Sequence, residues 1–159
     1  MVIRVCDLQR IMEKEKVINV DAEDEIKNIL ENYRTVAVVG LARDPSKDSH
    51  MVAQFLKSRG WRIIPVNPFA DEILGERCYK SLLDLPADVQ KALEVVDIFR
   101  PSQDVPSIVD QAIQLKKKNG KPYVVWMQLG IVNEEAAARA RSAGLTVVMD
   151  RCMKIESER

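Results

Sequence analysis

From residue 35 onward, apolar and polar stretches alternate in a steady rhythm. TVAVVG (35–40) is an unbroken apolar run, the mark of a strand covered on both faces. Over 48–59, Met51, Val52, Phe55 and Leu56 recur at the spacing of one helix face, and Gly60 supplies the stop. WRIIPVNP (61–68) predicts a second strand, broken by Pro65 and ended by Pro68. A short strand is expected at 76–79 and a turn of helix near 81–83. LEVVDIFR (93–100) is the next strand, with a helical, charged approach that leaves its start open. Residues 104–118 predict a helix with Val105, Ile108, Val109, Ala112 and Leu115 inward. Pro106 is tolerated there because it falls in the first turn. Lys116, Lys117 and Lys118 suit the negative end of the helix dipole, and Asn119-Gly120 ends the helix. PYVVWMQLG (122–130) is a further strand, Asn133 caps an alanine-rich helix at 134–142, Gly144 ends it, and LTVVMD (145–150) is the last strand.

The first 34 residues read differently, as a polar helical extension. Leu8, Ile11 and Met12 form a short stripe, and Asp21 caps a second helix whose buried face carries Ile26, Ile29 and Leu30. The expected organisation is therefore an extension at 1–34, one α/β domain at 35–153 and a polar tail at 154–159. Strands alternating with helices imply right-handed crossovers and a mainly parallel sheet with helices on both faces. A single-domain, Rossmann-like, doubly wound sheet fits this length, whereas an eight-fold barrel needs more chain. Ligands of such sheets sit beyond the carboxyl ends of the strands. Four places follow, after Val39, Val66, Ile98 and Met127.

Composition narrows the classes. The 24 basic and 24 acidic residues cancel, which lowers the expectation of a nucleic-acid partner. Cys6, Cys78 and Cys152 are odd in number and show no CxxC pair, as expected of a reduced, cytoplasmic chain. No apolar run approaches membrane-spanning length, and no signal-peptide pattern opens the chain.

The four strand ends carry Gly40, Leu41, Ala42, Arg43, Ser46 and Lys47; Val66, Asn67 and Pro68; Phe99 and Arg100; and Gln128 and Gly130. Small residues let backbone approach a phosphate, a helix N-terminus favours anions, and Arg43, Lys47 and Arg100 bring cations to one edge. A nucleotide phosphate site is one reading; an ordinary strand-to-helix turn with exposed cations is the other. The Gly-x-Gly-x-x-Gly fingerprint is missing, and no acid closes the second strand to hold the ribose hydroxyls of NAD. Arg62 lies at the wrong end of that strand for NADP, and no P-loop occurs.

Taken together, VAVVGLARDPSK, PVNP with the following EILG, VVDIFRP, VVWMQLGI and VVMDRC resemble the small stand-alone CoA-binding proteins. Their domain is similar to the N-terminal CoA-binding domain of the succinyl-CoA synthetase alpha subunit. The resemblance covers roughly residues 33 to 153. It implies coenzyme A, or an acyl-CoA, at the strand carboxyl edge. Gly40, Leu41, Ala42 and Arg43 then form the turn beneath the phosphates, and Ser46 and Lys47 help hold the anionic groups. Val66, Asn67 and Pro68 line the adenine or ribose side, Phe99 and Arg100 close over the ligand, and Gln128 and Gly130 flank it. The 3′-phosphate of coenzyme A calls for cations, so the missing acid is expected.

Catalytic groups are sparse. His50, the only histidine, is expected at a surface position of the helix after the phosphate turn. Cys152 is the best nucleophile candidate because Arg151 beside it favours a thiolate. Its plainer reading is a structural cysteine, and a mixed disulfide with the coenzyme A thiol is a third. Trp61 and Trp126 read as core. No metal-ligand spacing occurs. A binding module without chemistry of its own is expected, working alone, as a homo-oligomer or with a separate subunit. The alternative is a small nucleotide-cofactor enzyme, an NAD(P)-linked oxidoreductase or a CoA-dependent transferase.

Overall fold

A computed structural model of the chain describes residues 22–159. The stripe at Leu8, Ile11 and Met12, the cap at Asp21 and Cys6 lie outside the described residues. The chain divides into two compact units, 1–32 and 33–159. In the first, helix α1 runs over 22–32, with Ile26 and Ile29 buried.

The second unit is built on five parallel strands: β1 (Thr35–Val39), β2 (Arg62–Val66), β5 (Val95–Ile98), β6 (Val124–Met127) and β7 (Thr146–Val148). Their order in the sheet is β2-β1-β5-β6-β7. A two-stranded antiparallel ribbon, β3 (Glu72–Ile73) and β4 (Glu76–Arg77), is inserted after β2. The helices are α2 (Asp48–Ser58), α3 (Ala87–Ala92), α4 (Val105–Asn119), α5 (Glu134–Ser142) and α6 (Met153–Ser157). Because side chains alternate along a strand, Ala37, Val39, Ile64, Val66, Val96, Ile98, Val125 and Met127 share one face. They form the main core with Val105, Val109, Ala112 and Leu115 of α4 and Ala136, Ala137 and Ala140 of α5. Val36, Val38, Ile63 and Trp126 point the other way, and α2 packs against β2 and α6. Helices thus cover both faces of the sheet. Among the described residues, no helix is long and apolar enough to cross a membrane.

Several local expectations change. Pro65 does not break β2. It pairs with Val38 in register, and its carbonyl accepts from the Tyr79 N–H at 3.0 Å, so its missing N–H falls on the outer side of the sheet's edge strand. Met51 is 45% exposed, and Ala53 takes its expected place inward. The segment before β5 is helical through Ala92, which fixes the strand's start at Val95. The tail is more than polar: it forms α6, whose Met153 is fully buried. Asn133 caps α5 as expected, its Oδ1 accepting from the Ala136 N–H at 3.0 Å.

Candidate functional site

In the order β2-β1-β5, the chain leaves β1 toward one side and returns on the other, so the switch point lies between β1 and β5. Gly40 ends β1 there with φ +88°, a left-handed conformation that favours glycine. The loop after β5 crosses directly over it. A Cβ on Gly40 would lie 2.5 Å from the Phe99 carbonyl oxygen and 3.0 Å from Arg100 Cδ. Only glycine lets the two loops close on each other.

Beside this crossing opens a cleft of about 480 Å³. Its walls are Val39, Gly40 and Ala42 from the end of β1, Val66, Asn67, Pro68 and Phe69 from the end of β2, Lys80 and Ser81, and Arg100, Asp104, Ser107, Ile108 and Gln111 around the start of α4.

The turn after β1 is clamped by hydrogen bonds at each residue. The Gly40 N–H donates to the Val66 carbonyl at 2.9 Å. Asn67 Nδ2 donates to the Leu41 carbonyl at 2.9 Å. The Ala42 N–H donates to Ser49 Oγ at 2.9 Å. His50 Nδ1 lies 2.8 Å from the Ala42 carbonyl, and because a carbonyl only accepts, Nδ1 carries the hydrogen. His50 is therefore not a surface residue: it is buried, with the ring turned back under the turn. Asn67 does two jobs, since its Oδ1 also accepts from the Phe69 N–H at 2.8 Å and shapes the lip after β2.

Of the residues expected from sequence, the cleft brings together Gly40, Ala42, Val66, Asn67, Pro68 and Arg100. Leu41 is fully buried and contributes backbone only. Phe99 contributes the carbonyl that covers Gly40. Arg43, Ser46 and Lys47 are exposed on the loop leading into α2, outside the cleft walls. Ser46 is occupied there: its N–H and Oγ–H both donate to Asp44 Oδ1, and these bonds hold the Asp44 carboxyl below its ordinary value. Arg100 Nη2 lies 2.9 Å from Asp104 Oδ2. Gly130 is exposed beyond β6, its N–H bound to Asp150 Oδ1 at 2.6 Å.

Gln128 is buried and turned away from the cleft, Nε2 donating to Asp97 Oδ1 at 2.8 Å. Asp97 pairs in register with Val38 and Trp126, is fully buried, and has no partner on Oδ2 among the described residues. Burial pushes its carboxyl up to about 8, against the smaller opposing effect of the Gln128 bond. Cys152 is half-buried at the N-cap of α6, and the Arg151 guanidinium beside it is paired with Glu156 at 3.3 Å. Cys78 is buried, and desolvation pushes its thiol up.

Sequence reasoning missed Phe69, Lys80, Ser81 and the wall from α4. A signal for the last was present: Asp104, Ser107 and Gln111 recur at helical spacing beside the buried stripe.

Comparison with known proteins agrees with this fold. Residues 34–158 match the CoA binding domain family. The uncharacterized protein YneT of Bacillus subtilis is 37% identical over 131 residues, spanning 82% of this chain and 90% of its own. The structure of a hypothetical protein from Pyrococcus horikoshii OT3 superposes with a TM-score of 0.77 at 38% identity, covering 86% of this chain and 90% of that one. An ADP-forming acetate–CoA ligase of Archaeoglobus fulgidus is 37% identical over 83 residues, which is 51% of this chain and 12% of the ligase. With its Rossmann-like parallel sheet, glycine-tight switch point and full-domain match, the chain belongs to the CoA-binding domain family, whose ligand is coenzyme A.

Proposed function

We propose that this chain binds coenzyme A or an acyl-CoA in the cleft at the β1/β5 switch point and acts by binding, without catalysis of its own. The observation that carries this reading is the crossing at Gly40. The loop after β5 closes on Gly40 there at the head of the cleft, over a turn held by Asn67, Ser49 and His50. A small, fixed turn in the cleft wall leaves room for a phosphate beside a cation, which Arg100 brings. The nucleoside then lies along Val66, Asn67 and Pro68, and the diphosphate at Gly40 and Ala42. The match to the A. fulgidus ligase, which spans 12% of that enzyme, supports the same ligand. The lone histidine is used structurally, bound to Ala42, which also favours a binding role.

Thermal unfolding with coenzyme A, acetyl-CoA, NAD and ATP tests the proposal. A ligand that binds only the native state stabilises it by RT ln(1 + [L]/Kd), about 2.7 kcal/mol at a hundred-fold excess over Kd. Coenzyme A and acetyl-CoA are expected to raise the midpoint, and NAD is not. Stabilisation by NAD without any by coenzyme A refutes the reading.

A further inference from the structure

The carboxyl end of the strand next to the phosphate turn is where sheets of this class read the ribose, with an acid for a free hydroxyl or a cation for a ribose phosphate. Here β2 ends in Val66, Asn67 and Pro68, which carry no charge. A distant segment brings a cation to the same place. Tyr79 runs parallel to the end of β2 and bridges Val66. Its N–H donates to the Pro65 carbonyl at 3.0 Å, and its carbonyl accepts from the Asn67 N–H at 2.9 Å. That pairing places the next residue, Lys80, in the cleft wall beside Asn67 and Pro68.

The two cations of the wall are not equivalent. Arg100 is tied to Asp104 at 2.9 Å. Lys80 is exposed and has no ion-pair partner among the described residues. Asp71 and Asp84 line an adjoining hollow that also touches Lys80, yet neither pairs with it, and Asp84 instead accepts from Ser81 Oγ at 3.1 Å. A free ammonium at the ribose end of a nucleotide cleft suits a phosphate on that ribose.

We infer that Lys80 is the specificity residue for a phosphate carried on the ligand's ribose, while the turn at Gly40 to Ala42 takes the diphosphate. The inference rests on the coenzyme A reading above and adds to it the group that separates coenzyme A from its dephosphorylated form.

Titration calorimetry of the full chain with coenzyme A and dephospho-CoA decides it, on wild type, Lys80→Ala and Lys80→Arg. Wild type is expected to prefer coenzyme A. Lys80→Ala is expected to weaken coenzyme A by about ten- to a hundred-fold, the scale of one charge-assisted hydrogen bond, and to leave dephospho-CoA nearly unchanged. Lys80→Arg keeps the preference, and rising salt narrows the gap in wild type. Lys80 is a surface side chain, so the unliganded melting midpoint of each variant should stay at the wild-type value. Equal losses for both ligands, no loss for either, or a wild type without preference overturns the inference while leaving the cleft as the coenzyme A site. A wild type that binds neither ligand refutes the coenzyme A reading itself, and the inference with it.

Discussion

Asp97→Asn should remove a large part of the pH dependence of folding. Asp97 sits in the middle of the sheet between Val38 and Trp126, and burial raises its carboxyl from 3.8 to about 8. Below 3.8 the group is protonated in both the folded and the unfolded chain, and its contribution to stability is complete. As pH rises, the unfolded chain gives up the proton and the folded chain keeps it, so stability falls across the whole window up to about 8. Above that value the folded site ionises too, and the loss levels off. A gap of about four units at ~1.4 kcal/mol each gives an upper bound of roughly 6 kcal/mol. That is comparable to the whole stability of many domains of this size, about 5–15 kcal/mol. Asparagine keeps the shape and an Oδ1 to accept from Gln128, and its amide occupies the place of the unpartnered Oδ2, but it carries no titrating proton. Urea unfolding of both proteins at several pH values between 4 and 8 gives the comparison. The variant is expected near wild type at pH 4 and several kcal/mol more stable than wild type at pH 8 (on the order of the shift above). Parallel stability–pH profiles would mean that Asp97 ionises normally in the fold, and the argument would fail.

Three further outcomes follow from the clamped turn. Gly40→Ala must place a Cβ 2.5 Å from the Phe99 oxygen at φ +88°, so it should lower stability by at least about 1–3 kcal/mol from the backbone conformation alone and abolish coenzyme A binding, read by melting with and without ligand. His50→Leu leaves the Ala42 carbonyl without its partner and should cost about 1–3 kcal/mol in denaturant unfolding, with partial recovery in His50→Gln, whose amide can donate to the same oxygen. Arg43→Ala and Lys47→Ala alter exposed residues outside the cleft walls, so each should weaken coenzyme A and dephospho-CoA alike and modestly, by calorimetry; selective loss of coenzyme A would move the ribose phosphate to that loop.

The sheet was legible because its strands are buried on both faces and therefore unbroken in apolar character, as in TVAVV and VVWM. The turn after β1 was legible too, since Gly40 follows that strand directly. The sequence left four strand ends open, and only the strand order puts the switch point between β1 and β5. What escaped depends on where side chains turn. His50 sits in the first turn of α2, and its polarity suggested solvent; only the return of the loop places the Ala42 carbonyl over its ring. Gln128 and Asp97 find each other across β5 and β6, so Gln128 serves the sheet interior and not the cleft. Lys80 was hidden because its position depends on Tyr79 pairing with a strand thirteen residues upstream, a long-range parallel contact with no local pattern.

The cleft therefore divides into two kinds of support, and the division has a consequence for how its residues respond to change. Asn67, Ser49 and His50 hold the turn by hydrogen bonds to its own backbone, in the free protein, before any ligand arrives. Removing one of them leaves a polar group unsatisfied whether or not ligand is present, so stability and affinity must fall together. Lys80 holds nothing among the described residues. Its charge is used only when a phosphate is there to meet it, so its loss must appear in affinity and be absent from the unliganded melting curve. Arg100 lies between the two cases: Asp104 neutralises it in the free chain, and a ligand phosphate has to compete with that carboxylate. Asp104→Asn should then tighten coenzyme A, because it frees Arg100 and removes a like charge from the wall, with little effect on the exposed pair's contribution to folding. Calorimetry on that variant reads the outcome, and weaker binding would mean that the pair orients Arg100 and does not restrain it.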